Sequence, residues 1–205
     1  DKFGDLKLKD TVNEVLVPSY NITKNACTFF TNMCPEFEEY HIKDVIRASS
    51  AAPTYFPAKR IENDQMRYID GGVFMNNPTA KAYLEAKRKY PDKKFVVVSL
   101  GTGFYEESLE SLATGGTIDW IKPLIELLMN VGSKNVENTM NTISELDGIS
   151  YYRFQPKLNE EVALDATGNH DIMELQEIAV KITNDPKFDE LISMLVDKCK
   201  LKEGF

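Results

Sequence analysis

Asp70 is the residue of this chain best placed to do chemistry. It follows the strand-like run Met66-Arg67-Tyr68-Ile69 and precedes Gly71 and Gly72, which puts a carboxylate at a strand end on a glycine turn. A carboxylate in that position can take a proton from a nearby hydroxyl as a general base. Burial beside a sheet would raise its pKa from about 3.9 toward neutrality and so improve it for that task. Gly71 and Gly72 support the motif by letting backbone or substrate come close. Capping is the other reading, because an Asp before Gly commonly hydrogen-bonds its own turn.

The remaining reactive side chains fall into weaker patterns. Ser49 and Ser50 stand among alanines at the end of a helical run, where serine is more often a packing residue than a nucleophile. Ser99-Leu100-Gly101-Thr102-Gly103 lacks the lysine and the glycine spacing of a phosphate loop, so it reads as a sharp turn after a strand. His41 and His170 pair with no serine pattern. Cys27 and Cys34 have a spacing that fits no common zinc motif, and with Cys199 they make an odd number, too few for a disulfide scaffold. No metal and no cofactor is expected from these residues. The glycines settle a further question. No two of them stand four residues apart, so a Gly-x-Ser-x-Gly nucleophile elbow is absent, and no glycine-rich oxyanion loop precedes Asp70.

The elements that must hold Asp70 are readable from periodicity. Val15-Leu16-Val17-Pro18-Ser19-Tyr20 reads as a buried strand ended by proline. Residues 42–52 have helical apolar spacing, stop at Pro53, and finish in small side chains that permit close approach of another backbone. After the glycine turn, Asn77 and Pro78 open a helix that runs to about Tyr90, with Asn77 as its cap. Phe95-Val96-Val97-Val98-Ser99-Leu100 has the continuous apolar character of a doubly covered parallel strand. A strand–helix–strand reading makes the strand of Asp70 and this strand parallel, with Asp70 and the 101–103 loop on one sheet edge. Farther on come a strongly apolar helix over 119–131 around Trp120, a strand at Tyr151-Tyr152-Arg153-Phe154, and two amphipathic helices separated by Asp185-Pro186. The Trp120 helix, which includes Ile121, Ile125 and Met129, is either core or a lid or lipid-facing surface. Glu106, Glu107 and Glu110 read as a solvated flank.

The 205 residues suit one α/β domain with a real core; 42% are hydrophobic and 27% charged. The formal net charge of −8 argues against nucleic-acid binding and against tight adhesion to anionic membranes, since both need excess Lys and Arg. No apolar run is long enough to span a bilayer. The first residues, Asp1-Lys2-Phe3-Gly4, show neither an initiator Met nor a signal-peptide pattern, which fits a processed or excised chain and favours the cytoplasm.

Three segments together carry a resemblance. Arg47-Ala48-Ser49-Ser50-Ala51-Ala52-Pro53-Thr54-Tyr55-Phe56-Pro57, then Tyr68-Ile69-Asp70-Gly71-Gly72-Val73, then Asn76-Asn77-Pro78 resemble the patatin-like phospholipase family in order and spacing. The segment 98–103 resembles that family's next strand; beyond Trp120 the likeness thins to Tyr151-Tyr152-Arg153 and Leu164-Asp165-Ala166. The resemblance implies a three-layer α/β/α fold with a partly parallel sheet covered by helices. It also implies lipid acyl hydrolysis by a Ser–Asp dyad, with Asp70 as the base and no role for histidine. The Ser-Ala-Ala-Pro-Thr segment is similar to a packing motif behind that site.

The family's nucleophile serine and oxyanion loop precede the matching region. The chain is therefore expected to be the C-terminal portion of such a domain, residues 1–205 forming a single domain whose N-terminal part is missing, and to be inactive alone. The expected partners are a lipid ester and, transiently, a membrane surface. Self-association or pairing with the missing part follows from the apolar face and sheet edge such a truncation would expose. A non-catalytic binding or assembly module of the same fold is the alternative reading, and nucleotide binding through the 101–103 loop is a weaker third.

Overall fold

The computed structural model describes residues 2–105 and 108–200. Glu106 and Glu107 of the acidic flank, and the side chains of Ile121, Ile125 and Cys199, lie outside the described residues. The chain is α/β and divides into two compact units, Asp1–Pro91 with Leu112–Thr139, and Asp92–Ser111 with Met140–Phe205.

The first unit is built on a four-stranded sheet in the order β2-β1-β4-β3, every pair antiparallel: β1 (Leu16–Asn21), β2 (Ala26–Thr31), β3 (Lys59–Arg60) and β4 (Arg67–Asp70). Pro18 sits inside β1 and does not end it. Its carbonyl points away from β2 to accept the Ser49 hydroxyl, and β4 joins β1 only from Ser19 onward. The missing proline N–H therefore removes no ladder bond, the condition under which a strand tolerates proline.

Helix α1 (Ile42–Ser49) packs Val45 and Ala48 onto this sheet, into a core shared by Leu8, Phe30, Tyr40, Ile61 and Tyr68. Phe30 is fully buried at its centre, with ring centroids 5.0 Å from Tyr68, 5.3 Å from Phe37 and 5.6 Å from Tyr40. The Tyr68 hydroxyl donates to Asp64, which satisfies its one polar atom inside that cluster. Burial, with the Asp64 carboxylate second, pushes the hydroxyl pKa of Tyr68 well above its ordinary value.

Beyond Asp70 come a one-turn helix, α2 (Gly72–Met75), and α3 (Thr79–Lys89). The helix starts one residue later than expected, with Pro78 rather than Asn77 at the N-cap, and Asn77 instead closes the turn before it: its side-chain oxygen accepts the N–H of Thr79 at 3.2 Å and the Thr79 hydroxyl at 2.6 Å. The apolar helix is longer than its hydrophobic run, spanning Thr117–Asp147 as α4. Pro123 falls in its second turn, past the first-turn donors that are unpaired anyway, so the helix forgoes the bond its N–H would have made to the Asp119 carbonyl. Leu124, Leu128 and Val131 on it are exposed, so α4 is not wholly a core helix. No helix of the described residues is long and apolar enough to cross a membrane.

In the second unit, β5 (Val96–Leu100) and β6 (Ser150–Phe154) form a two-stranded parallel sheet, with Val96 opposite Ser150 and Leu100 opposite Phe154. Helices α5 (Asn169–Thr183) and α6 (Pro186–Lys200) follow. The buried cluster here is small, Tyr152, Phe154 and Leu191 flanked by Val96, Ile182, Phe188 and Met194, and Met140, Leu158 and Ile178 are buried outside it.

This topology corrects the strand–helix–strand expectation. β4 is taken on both sides by antiparallel partners, β1 at residues 68–70 and β3 at 67–68, so it has no ladder to offer β5. The parallel partner of β5 is β6. Nor is β5 covered on both faces, since Val98 is 41% and Leu100 74% exposed. Asp70 and the 101–103 loop consequently end strands of two different sheets.

Candidate active site

The geometry around Asp70 begins with the end of α1. The last carbonyls of a helix lack intrahelical donors and need partners. Here the Ala51 carbonyl accepts the Asp70 N–H at 3.0 Å and the Ser49 carbonyl accepts the Gly71 N–H at 3.2 Å. Ala48, Ser49, Ala51 and Ala52 have no bulk to keep the two backbones apart, which is the role their small side chains suggested. The Ser49 hydroxyl is spent on the Pro18 carbonyl at 2.7 Å and the Ser50 hydroxyl on Ile46 at 2.8 Å. Both serines are structural.

On its other side Asp70 pairs in register with Ser19, a fully buried residue whose hydroxyl donates to the Ile69 carbonyl at 2.8 Å. The backbone of Asp70 is thus clamped between a helix end and a neighbouring strand. Gly71 is held in the helical region, and a Cβ there would fall inside the van der Waals shell of the Pro18 carbonyl, so only glycine fits.

The carboxylate itself is half-buried. Oδ1 accepts the Gly72 N–H at 2.6 Å, while Oδ2 makes no hydrogen bond among the described residues. Capping and catalysis are therefore compatible rather than rival readings: one oxygen fixes the orientation, the other keeps lone pairs for an incoming proton. Burial raises the Asp70 pKa, and the Gly72 N–H opposes it by stabilising the charged form. No ion pair among the described residues reaches Asp70.

Sequence reasoning did not link α4 to this turn. Met129 Cε would lie 3.1 Å from a Cβ on Gly72, and the Met129 carbonyl is 3.5 Å from the Asn76 side-chain nitrogen. The contact joins residues more than fifty positions apart, and no local spacing announces it.

The other candidates lie elsewhere. His41 sits at the start of α1, its carbonyl accepting from Asp44 and Val45, and it makes no hydrogen bond to Asp70. His170 is exposed on α5 beside Glu160. The 101–103 loop is tied down by its own chain: Gly101 and Phe104 donate to the Phe154 and Pro156 carbonyls, and Gln155 donates to the Gly103 carbonyl. Of the loop's own N–H groups, that of Gly101 is spent on the Phe154 carbonyl.

Comparison with known proteins bears on this geometry. The family model described as patatin-like phospholipase matches residues 1–83, the stretch that contains β1 to β4, α1 and the Asp70 turn. Calcium-independent phospholipase A2-gamma of Rattus norvegicus is 36% identical over 164 residues, 77% of this chain and 20% of that protein. The Homo sapiens protein of the same name is 34% identical over 139 residues, 67% of this chain and 17% of that protein. Patatin-like protein 1 of Oryza sativa subsp. indica is 27% identical over 168 residues, 65% of this chain and 41% of that protein. The chain spans about a fifth of the length of the gamma phospholipases it matches. The chain is thus similar to the patatin-like phospholipase family, over residues 1–83 by the family model and over 65–77% of its length by these relatives.

Proposed function

We propose that this chain supplies the general base of a lipid acyl-ester hydrolase, and that the base is Asp70. The observation that carries the reading is the divided carboxylate: Oδ1 held by Gly72 and Oδ2 without a partner, on a backbone fixed by Ser49, Ala51 and Ser19. The nucleophile is a serine outside these 205 residues, which contain no elbow for one. Asp70 Oδ2 takes the proton of that serine hydroxyl as its oxygen attacks the ester carbonyl. The proton then passes to the departing alcohol. In the second half-reaction Asp70 deprotonates water, which hydrolyses the acyl-serine and regenerates the pair. A phospholipase in name among the relatives supports a lipid ester as substrate.

The test is ester hydrolysis by the full-length protein and by its Asp70→Asn variant, which keeps the Gly72 contact but cannot accept the proton. Loss of a positioned base lowers turnover by about 10²–10⁴-fold, or roughly 3–5 kcal/mol of transition-state stabilisation. Turnover within threefold of wild type removes Asp70 from the mechanism and favours the non-catalytic module.

A further inference from the structure

The second unit gathers three metal-ligating side chains. Glu160, His170 and Glu174 each present a ligand atom within 4.8 Å of the others. Glu160 lies on the connection between β6 and α5; His170 and Glu174 are four residues apart on α5 and so share one face of it. Cysteine spacing gives no hint of this group, which has no cysteine in it.

Two further observations bear on it. Both oxygens of Glu174 are shut off from solvent and have no hydrogen-bond partner. A buried carboxylate without donors is costly, and buried charges are normally paired or bound to a metal. His170 Nδ1 and Glu160 Oε1 stand 3.4 Å apart without forming a hydrogen bond. Two ligands at about 2.0–2.2 Å on a tetrahedral ion are separated by about 3.3–3.5 Å, so this pair already has the spacing of adjacent ligands.

We propose that Glu160, His170 and Glu174 form a divalent-cation site of the zinc class, tying the chain after β6 to the first turns of α5. One imidazole with two carboxylates suits Zn²⁺ better than Ca²⁺ or Mg²⁺, which take all-oxygen sets. Three protein ligands leave the fourth position to water. Glu174 is the anchor, because the ion satisfies oxygens that no other group among the described residues reaches.

The experiment is equilibrium dialysis of the metal-stripped protein against Zn²⁺, alongside His170→Ala, Glu174→Gln and a variant with all three cysteines changed to serine. Expected is one Zn²⁺ per chain, with affinity lower by about tenfold or more in His170→Ala and Glu174→Gln and unchanged without cysteines. Failure to saturate at one equivalent, retention in both site variants, or loss in the cysteine-free protein overturns the site. Thermal unfolding guards against misfolded variants. Zn²⁺ should raise the midpoint of the wild type and not that of Glu174→Gln, while the metal-stripped variant unfolds no earlier than the metal-stripped wild type. Equal Zn²⁺ shifts in the two, or earlier unfolding of the stripped variant, contradict the assignment.

Discussion

The two units bury their apolar residues very differently. In the first, β1 to β4 and α1 enclose Leu8, Phe30, Val45, Ala48 and Ile61 at 2% exposure or less, and three aromatic rings, Phe37, Tyr40 and Tyr68, surround Phe30. In the second, among the described residues only Tyr152, Phe154 and Leu191 form a buried cluster, with Met140, Leu158 and Ile178 buried outside it, while Met173 and Val180 on α5 are each 60% exposed. The difference shows where rigidity is placed. Asp70 is the last residue of a strand whose preceding tyrosine lies in the dense aromatic cluster, so its backbone inherits that cluster's stiffness. A general base is useful only if it is held within a fraction of an ångström of its task. The four-stranded sheet can do that; nothing in the small core of the second unit is asked to.

The most direct way to break this contrast is Phe30→Ala. Removing a fully buried ring from among three other aromatics should cost about 3–5 kcal/mol, read as a drop in the denaturant midpoint. It should also loosen β4, seen as faster amide exchange at Tyr68 and Ile69. A loss below 1 kcal/mol, or unchanged exchange, would show that the aromatic cluster does not hold the strand of Asp70.

Gly71→Ala is next in size and tests the turn without touching the core. Its Cβ would strike the Pro18 carbonyl, and neither the strand nor the end of α1 can retreat without breaking the hydrogen bonds from Asp70 and Gly71. A destabilisation of about 1–3 kcal/mol is expected. Gly72→Ala is the control, since its Cβ would meet side-chain atoms and no backbone within the same range, Asp70 Oδ1 at 3.0 Å and Met129 Cε at 3.1 Å. Equal losses in the two variants would refute the assignment of the tight contact to Gly71.

Leu191→Ala probes the thinner side of the comparison. Leu191 is 4% exposed among Tyr152, Phe154 and Phe188, so the loss should be about 2 kcal/mol, at the low end for Leu→Ala, because sparse surroundings collapse more easily onto a void. A loss as large as that of Phe30→Ala would mean the second unit is as tightly packed as the first.

What could be read from the sequence followed the same division. The Asp70-Gly71-Gly72 turn and the small-residue end of α1 were legible because each is local chemistry: a side chain and the backbone within a few residues of it. β2 and β3 escaped notice. Ala26-Cys27-Thr28-Phe29-Phe30-Thr31 has no clean alternation, and β3 is two residues long. Pro18 misled because proline punctuates a strand only where its N–H is needed, and which side of β1 lacks a neighbour is decided by where β4 starts. The mistaken pairing of β4 with β5 has the same origin. Two strands around a helix imply a parallel neighbour only if the first still has an open edge, and β1 and β3 had closed it. The divided carboxylate of Asp70 was legible in part, since the cap and the base were both foreseen but not their sharing of one side chain.

The smallest expected effect is the most pointed, because it separates the strain of holding Asp70 from its use. Burial raises the Asp70 pKa in the folded state, so folding favours the protonated form. For a carboxylate raised on folding, its contribution to stability is fully present below the unfolded value, near 3.9, and is lost as pH rises through the folded one. Asp70→Asn keeps an oxygen for the Gly72 N–H and cannot ionise. The variant should therefore match the wild type at acidic pH and gain on it as pH rises into the neutral range, a gain seen in the unfolding midpoint as a function of pH. The same substitution that is proposed to slow ester hydrolysis in the full-length protein should then leave the fold slightly more stable at neutral pH. A variant less stable than wild type at neutral pH would mean that the ionised carboxylate is a structural cap first, and that the site gives up nothing to keep its charge.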